Sequence, residues 1–528
     1  MRRFAELLER LAFTPARNGK LRLIVDYLRT TPDPDRGWGI AAITRDLTLD
    51  AVKPALLRAL ATGRIDAELF ALSYDFVGDL AETVALVWPD PTGPVADPRL
   101  GEVVDALRAA SRREAPQVVE RLLDRLDGSE RFALLKLVTG GLRVGVSARL
   151  AKQALADFGG VDVTEIEELW HGLSPPCEPL FAWLAGTAGK PAPAVCAPFR
   201  PVMLSHPLEE RDLERLDPAD FVAEWKWDGI RVQAVSDAGG RRLYSRTGDD
   251  ISGAFPDLVD ALDFDAAIDG ELLVRREDGS IATFSDLQQR LNRKTVSVAQ
   301  LRRYPAHLRA YDLLHAGPRD LRPEPFDVRR AALETLVAGL DPGRVDVSPL
   351  LPMAGWDDLA RLRAAPPDPV IEGVMLKRRD SVYVPGRPKG LWFKWKRDPH
   401  VIDAVLMYAQ RGHGKRSGYY SDYTFGLWTD DGSLTPVGKA YFGFTDEELG
   451  QIDRWVRSNT TERFGPVRAV RAEPGHGLVL EVAFEGLARS TRHRSGVAMR
   501  FPRIARLRWD KPPAEADTLE TLEALLPD

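Results

Sequence analysis

The chain has 528 residues, which at roughly 150 residues per domain suggests about three or four units and excludes one small module. Apolar residues at 44% and charged residues at 28% are the proportions of a globular protein with sizeable cores, not of a disordered or fibrous chain. Against 78 Asp and Glu stand 72 Lys and Arg, and the resulting −6 argues on its face against a simple polyanion binder.

Charges interrupt the apolar positions of the opening Met-Arg-Arg-Phe-Ala-Glu-Leu-Leu-Glu-Arg every few residues. It reads as an amphipathic helix, not a signal peptide, and no membrane anchor or export is expected. Residues 1–175 continue as helix after helix, with Phe4-Leu7-Leu8-Leu11, Leu21-Ile24-Val25-Leu28 and Val118-Val119-Leu122-Leu123-Leu126 at 3- and 4-residue spacing. An all-α domain is predicted there. Residues 176–200 turn to Pro, Gly and Ala and read as a linker. Cys177 and Cys196, the only cysteines, resemble no metal pair and read as small buried hydrophobes of a reducing compartment.

From 201 to 397, short strand-like runs alternate with turns: 222–227, 231–235, 242–245, 267–274, 308–313, 370–377 and 391–395. This predicts an α+β domain on a largely antiparallel sheet. Strand candidates at 402–410, 423–429, 436–443 and 478–486 place a small β-barrel, such as an OB-fold, over 398–511. The acidic tail 512–528 reads as a solvated helix.

Charge is partitioned along the chain. Residues 131–152 carry five basic and no acidic groups, 387–416 eight against two, and 489–511 eight against one, so three segments hold +18 and the remainder −24. A single charge run is usually a solvated face, but three in an acidic chain suggest phosphate-gripping surfaces.

The sharpest local feature is Glu224-Trp225-Lys226-Trp227-Asp228-Gly229-Ile230-Arg231. A lysine between two tryptophans near a strand end is expected to be partly desolvated, which lowers its pKa and frees the amine as a nucleophile. Glu224 and Lys226 share a strand face, so a ligand held by one could meet the other. Asp228-Gly229 offers a tight turn and Arg231 a fixed cation for phosphate. The bland alternative is an edge strand with a surface lysine. Further polar clusters follow in order. Ser245-Arg246-Thr247-Gly248 puts an arginine near a turn; Asp269-Gly270-Glu271 reads as a carboxylate at a strand turn, or merely a hairpin. Tyr311 in Ala310-Tyr311-Asp312 is either a purine platform or core. Glu372 stands five residues before Lys377, and Lys394 and Lys396 share a strand face between aromatics, or are solvated edge charges.

This ordered set resembles motifs I, Ia, III, IIIa, IV and V of the covalent nucleotidyltransferases. Arg500-Phe501-Pro502-Arg503 with Arg506-x-Arg508-x-Asp510-Lys511 is similar to their motif VI in its ligase form. Phe13-Thr14-Pro15-x-Arg17-x-Gly19-Lys20 and Gly141-Leu142-Arg143-Val144-Gly145-Val146 resemble the helical DNA-binding domain of ATP-dependent DNA ligases. The resemblance implies that Lys226 attacks the α-phosphate of ATP to form lysyl-AMP, that AMP passes to the 5′-phosphate of a nick in duplex DNA, and that the 3′-hydroxyl then displaces it. It implies a site with Glu224 at the adenine edge, Tyr311 at its face, and Glu271 or Arg246 at the ribose. Arg231, Arg246, Arg387, Lys394 and Lys396 would meet phosphates, and Glu271 and Glu372 would hold Mg²⁺ or Mn²⁺. Arg503 and Lys511 would swing in with the barrel to orient pyrophosphate. Two cysteines are too few for the four-cysteine zinc site of NAD-dependent ligases, which favours ATP. An RNA ligase or capping guanylyltransferase would leave residues 1–175 without a role, and a non-catalytic DNA clamp would not need the chemical residues. A monomer acting in the cytoplasm, at the nucleoid, in replication, repair or recombination is the expectation.

Overall fold

In the computed structural model of the chain, α1 (Arg2–Phe13) buries Phe4, Ala5, Leu7, Leu8 and Leu11 along one stripe, as the spacing predicts. The structure describes residues 1–49, 51–91, 97–140, 142, 144–191, 197–291, 293, 295–412 and 418–526. Gly141 and Arg143 of the glycine-rich stretch, Cys196, and 413–417 of the second basic segment lie outside the described residues. Eleven more helices follow among the described residues: α2 (Arg17–Thr30), α3 (Asp35–Thr44), α4 (Pro54–Thr62), α5 (Ala67–Val77), α6 (Leu80–Val87), α7 (Leu100–Ala109), α8 (Ala115–Leu123), α9 (Gly128–Thr139), α10 (Ala148–Gly159), α11 (Val163–Trp170) and α12 (Glu178–Leu184). Local chemistry sets their ends. Asp127 and Glu130 cap α9 reciprocally, and Gly140 at φ 65° closes it. Ser147 caps α10, and Gly160 at φ 65° ends it before Asp162 caps α11.

The described chain falls into two compact units, Met1–Leu60 with Val84–Arg397, and Ala61–Thr83 with Asp398–Asp528. Apart from Ala61–Thr83, the helical region and the first set of sheets therefore share a unit.

That unit carries β1 (His206–Pro207), β2 (Phe221–Trp227), β3 (Ile230–Asp237), β4 (Gly240–Ser245), β5 (Ala266–Val274), β6 (Ala306–Ala316), β7 (Arg319–Asp320), β8 (Val345–Val347), β9 (Leu350–Leu351), β10 (Ile371–Arg378) and β11 (Trp392–Lys396). They form two sheets, ordered β1-β11-β10-β2-β9 and β4-β3-β5-β6-β7, with β8 beside β6. Pairing is antiparallel apart from β1 with β11 and β6 with β8. Helices and their flanking residues cover the second sheet through Phe255, Leu258, Leu262, Leu287, Leu333 and Val337, packed on Val232, Ile268, Leu272 and Leu308. Each such buried side chain is worth about 1.5–3 kcal/mol of transfer free energy.

Strands β2 and β3 belong to different sheets, although only Asp228 and Gly229 separate them. A β-carbon on Gly229 would overlap the Leu272 carbonyl and the side chains of Glu271 and Leu273, so the crossing needs glycine for close approach.

The second unit holds β12 (His400–Arg411), β13 (Tyr420–Trp428), β14 (Leu434–Ala440), β15 (Thr460–Phe464), β16 (Val467–Val470), β17 (Val479–Phe484), β18 (Gly486–Arg489), β19 (Val497–Arg500) and β20 (Arg503–Arg508). Its main sheet runs β14-β13-β12-β16-β15, with β17 joining β12 to β20. A 14-residue helix, Asp446–Asn459, was not anticipated, although Thr445 and Glu448 form a capping box before Leu449, Ile452 and Val456. The tail corrects another expectation. It is no free solvated helix: Leu522 is fully buried in this unit's core beside Leu519, Leu525 and Leu526, and Trp428 Nε1 donates to the Pro513 carbonyl at 2.7 Å.

Candidate active site

Backbone register builds the first half of the site. Glu224, Met375 and Lys394 lie opposite one another across β2, β10 and β11, and Lys226, Gly373 and Lys396 form the next row. Opposed residues of antiparallel strands share a face, so Lys226, Lys394 and Lys396 emerge together. The middle of their row lacks a side chain because a β-carbon on Gly373, at φ 147°, would collide with the Trp395 carbonyl. The tryptophans do not sandwich the lysine as expected. Alternation turns Trp225 to the other face with Phe221 and Ala223, and Trp227 packs on Leu273, Ile281 and Val370.

Two β-bulges aim two further residues. Pairing of β10 with β2 shifts between Ile371 and Gly373, leaving Glu372 as the extra residue, and its Oε2 lies 2.5 Å from Lys226 Nζ and 3.5 Å from Lys396 Nζ. Pairing of β5 with β6 shifts between Asp269 and Gly270, which leaves Tyr311 unopposed. The Tyr311 ring stands 5.8 Å from the Arg231 guanidinium and 4.4 Å from Lys377 Nζ, and burial holds its phenol far above the ordinary range.

Asp269-Gly270-Glu271 is the interior of β5 and not a turn, because Gly270 is needed where a β-carbon would press on the Leu308 side chain and the Arg309 carbonyl. Asp269 is fully buried and forks Arg231, accepting from Nε at 3.0 Å and Nη2 at 2.6 Å, while Tyr383 Oη donates to it at 2.6 Å. Arg231 is thus fixed as a cation. Glu271, opposite Arg231 in register, has its carboxyl pushed up to about 8 by burial, against the pull of Lys226 and Arg231 and with the push of Glu372 and Asp269.

Arg246 follows β4 in an exposed turn, and Arg387 is exposed beside Gly386. Burial lowers the Lys394 pKa, and the positive charges of Lys396, Lys226, Arg387 and Arg246 lower it further. Burial also lowers that of Arg246, helped by Arg231 and Arg387. The cations expected from sequence therefore share one neighbourhood, whose excess positive charge suits a polyphosphate.

Glu224 shares the strand face of Lys226, as alternation predicts. It is 2% exposed, with Arg330 Nη1 2.8 Å from Oε1 and Lys377 Nζ 2.9 Å from Oε2, so each oxygen already holds one cation. Arg330, from the helix Phe326–Val337, and Tyr383 had no local signal; only their contacts across the fold reveal them. Two cations of the first basic segment are used internally. Arg131 is buried and donates to the Leu123 and Trp88 carbonyls, and Lys152 lies 5.0 Å from the Trp170 ring. In the second unit, Arg503 stands 3.7 Å from Glu485, and Lys511 donates to Asp403 at 2.8 Å.

A family model described as ATP dependent DNA ligase domain matches residues 202–396, and one described as ATP dependent DNA ligase C terminal region matches 416–511. The chain is 32% identical over 564 residues to a probable DNA ligase of Koribacter versatilis (strain Ellin345), covering 99% of this chain and 96% of that protein. The chain belongs to the ATP-dependent DNA ligase family. A probable DNA ligase of Streptomyces coelicolor is 32% identical over 538 residues, with 99% and 98% covered. The solved structure titled Pmar-Lig_PreS3 shares the fold at a TM-score of 0.62 and 15% identity, over 96% of this chain and 99% of that one. The protein is a DNA ligase: sealing nicked DNA with ATP and a divalent metal ion is the family's activity. The helical region, the adenylation domain and the C-terminal OB-type domain follow the family's plan. Among the described residues no helix is long and apolar enough to cross a membrane.

Proposed function

We propose that Lys226 is the residue through which this ligase carries AMP. The observation behind this reading is the three-lysine face with Glu372 turned onto Lys226 by a bulge. The Lys226 ammonium first gives up a proton, for which Glu372 Oε2 is the nearest acceptor. Its amine then attacks the α-phosphorus of ATP; a P–N bond forms, the bond to the bridging oxygen breaks, and pyrophosphate leaves. In the second step the 5′-phosphate of the nick displaces the lysine and takes AMP; in the third the 3′-hydroxyl attacks that phosphate and AMP departs.

Tyr311 offers a face for adenine, and Arg246 or Glu271 the ribose contact. Arg231, Arg387, Lys394 and Lys396 neutralise the phosphates, and Arg503 and Lys511 act on pyrophosphate from the second unit. Among the described residues no group of three or more His, Cys, Asp or Glu could hold a metal. Two carboxylates, Glu271 and Glu372, face Lys226, and this fits Mg²⁺, which takes one or two carboxylates and completes its shell with water and phosphate oxygens. When bound, it would supply charge neutralisation at the phosphates.

The same reading closes the second unit's sheet as an OB barrel. It divides the chain at 1–175, 176–200, 201–397, 398–511 and 512–528, and has a monomer acting on nicked duplex at the nucleoid. Incubation with ATP labelled at the α-phosphate should leave acid-labile, alkali-stable label on the protein, and Lys226→Ala should remove it. Label that survives in the mutant would refute the assignment.

A further inference from the structure

We infer that α10 and α11 of the helical region position the arginines of the adenylation site, so that this region serves the first chemical step before any DNA is bound. The inference rests on the roles proposed above for Arg231, Arg246 and Arg387. Three contacts carry it, each ending within three links of one of those guanidinium groups.

The first is made by His171, which caps the C-terminus of α11. Its ring lies against Gly248, at φ 89°, so closely that a β-carbon there would collide with it. The ring is itself seated, edge-on to Phe199 at 4.7 Å and 6.2 Å from Tyr244. Gly248 closes the turn that carries Arg246, where Gly248 N donates to the Ser245 carbonyl at 2.9 Å and Ser245 N to the Asp249 carbonyl at 2.8 Å. Burial holds the imidazole pKa down to about 4, so the ring is neutral near pH 7 and presses on the turn without adding charge beside Arg246.

The second is made by Arg149 of α10. Its guanidinium fills the space over Gly386, at φ 85°, and Nη2 donates to the Pro385 carbonyl at 3.4 Å. Glu167 of α11 steadies it at 3.6 Å. Gly386 immediately precedes Arg387, and its backbone is fastened on the other side by Leu204 and Val202.

The third is made by Glu168 of α11, whose carboxylate pairs with Arg322 at 2.6 Å. The Arg322 carbonyl accepts from Tyr383 N at 2.8 Å, and the Tyr383 hydroxyl holds Asp269, the partner of Arg231. Two short helices thus brace two exposed turns and one buried chain of hydrogen bonds. Bracing removes backbone freedom in advance, so that less is lost when the triphosphate is gripped. His171, Arg149 and Glu168 are positioning residues, since none is among the groups proposed to meet ATP.

The test is single-turnover self-adenylylation of the full chain without DNA, at varied ATP. Arg149→Ala and His171→Ala should raise the ATP concentration for half-maximal rate about tenfold, with the saturating rate changed much less. His171→Phe, which keeps a ring over Gly248, should restore most of the loss. Arg149 is half-exposed, so its truncation should disturb the fold less than loss of the seated His171 ring, and with urea unfolding as a check it decides the matter if His171→Ala proves unstable. Arg246→Ala and Arg387→Ala are run alongside. If they weaken ATP use while Arg149→Ala and His171→Ala do not, the bracing inference is wrong. If Arg246→Ala and Arg387→Ala are themselves silent, the assigned arginine roles fail instead. A defect in Arg149→Ala confined to nick binding would also overturn the inference.

Discussion

Two glutamates on neighbouring strands, each paired with two cations, behave as opposites. Glu224 meets Arg330 and Lys377 where all three are nearly solvent-free, while Glu372 meets Lys226 and Lys396 where each side chain keeps 19% to 33% exposure. The chemistry of the pairs is the same. Burial decides how freely each can rearrange: the closed triad cannot give up a partner without leaving a buried charge unpaired, whereas the open one can release Lys226 and turn Glu372 to another cation. A structural and a chemical ion cluster can therefore sit in adjacent rows of one sheet face.

The largest effect separating them should come from Lys226→Ala, which abolishes self-adenylylation while leaving the unfolding free energy in urea within about 1 kcal/mol of the parent, as expected for a partly exposed pair. A loss of folding instead would show the open cluster to be structural too. Glu224→Gln should do the reverse, lowering unfolding free energy by about 3–5 kcal/mol because two buried cations lose their counter-charge. Urea unfolding reads this directly, and a mutant of parental stability would end the contrast. Glu372→Gln should slow self-adenylylation about 10²-fold in a quenched-flow labelling assay and barely move stability.

The smallest effect concerns pH. With its carboxyl pushed up to about 8, Glu271 binds its proton more tightly folded than unfolded. The folded chain holds the extra proton between the ordinary carboxylate value and about 8, so this group's contribution to stability falls as pH rises through that window. In metal-free buffer Glu271→Gln should flatten that part of the stability profile. An unaltered slope would show that the carboxyl is already ionised when folded.

Much of this was legible in the sequence. Alternation placed Glu224 and Lys226 on one face, and the runs around β2, β3, β5, β6, β10 and β11 fell where apolar patterning put them. Period-two patterning could not reveal the bulges at Tyr311 and Glu372, because an extra residue shows only in the partner strand's register. Nor could it separate Glu224 from Glu372, since burial depends on Arg330, over a hundred residues away in sequence. Charge counting likewise could not tell buried from exposed cations within 131–152. Arg131 and Lys152 support the helical region from within, while Arg489, Arg492, Arg494 and Arg506 of the third segment are exposed.

The two-residue step between β2 and β3 sets a limit on how this enzyme can vary. Lys226 stands on one sheet and Arg231 on the other, and the link between them is packed against β5 with no room for even a methyl group. One inserted or deleted residue would turn the following side chains to the wrong face of their sheet. The interval from Lys226 to Arg231 is therefore a ruler without slack, and length changes among functional relatives belong in the surface loops, never here.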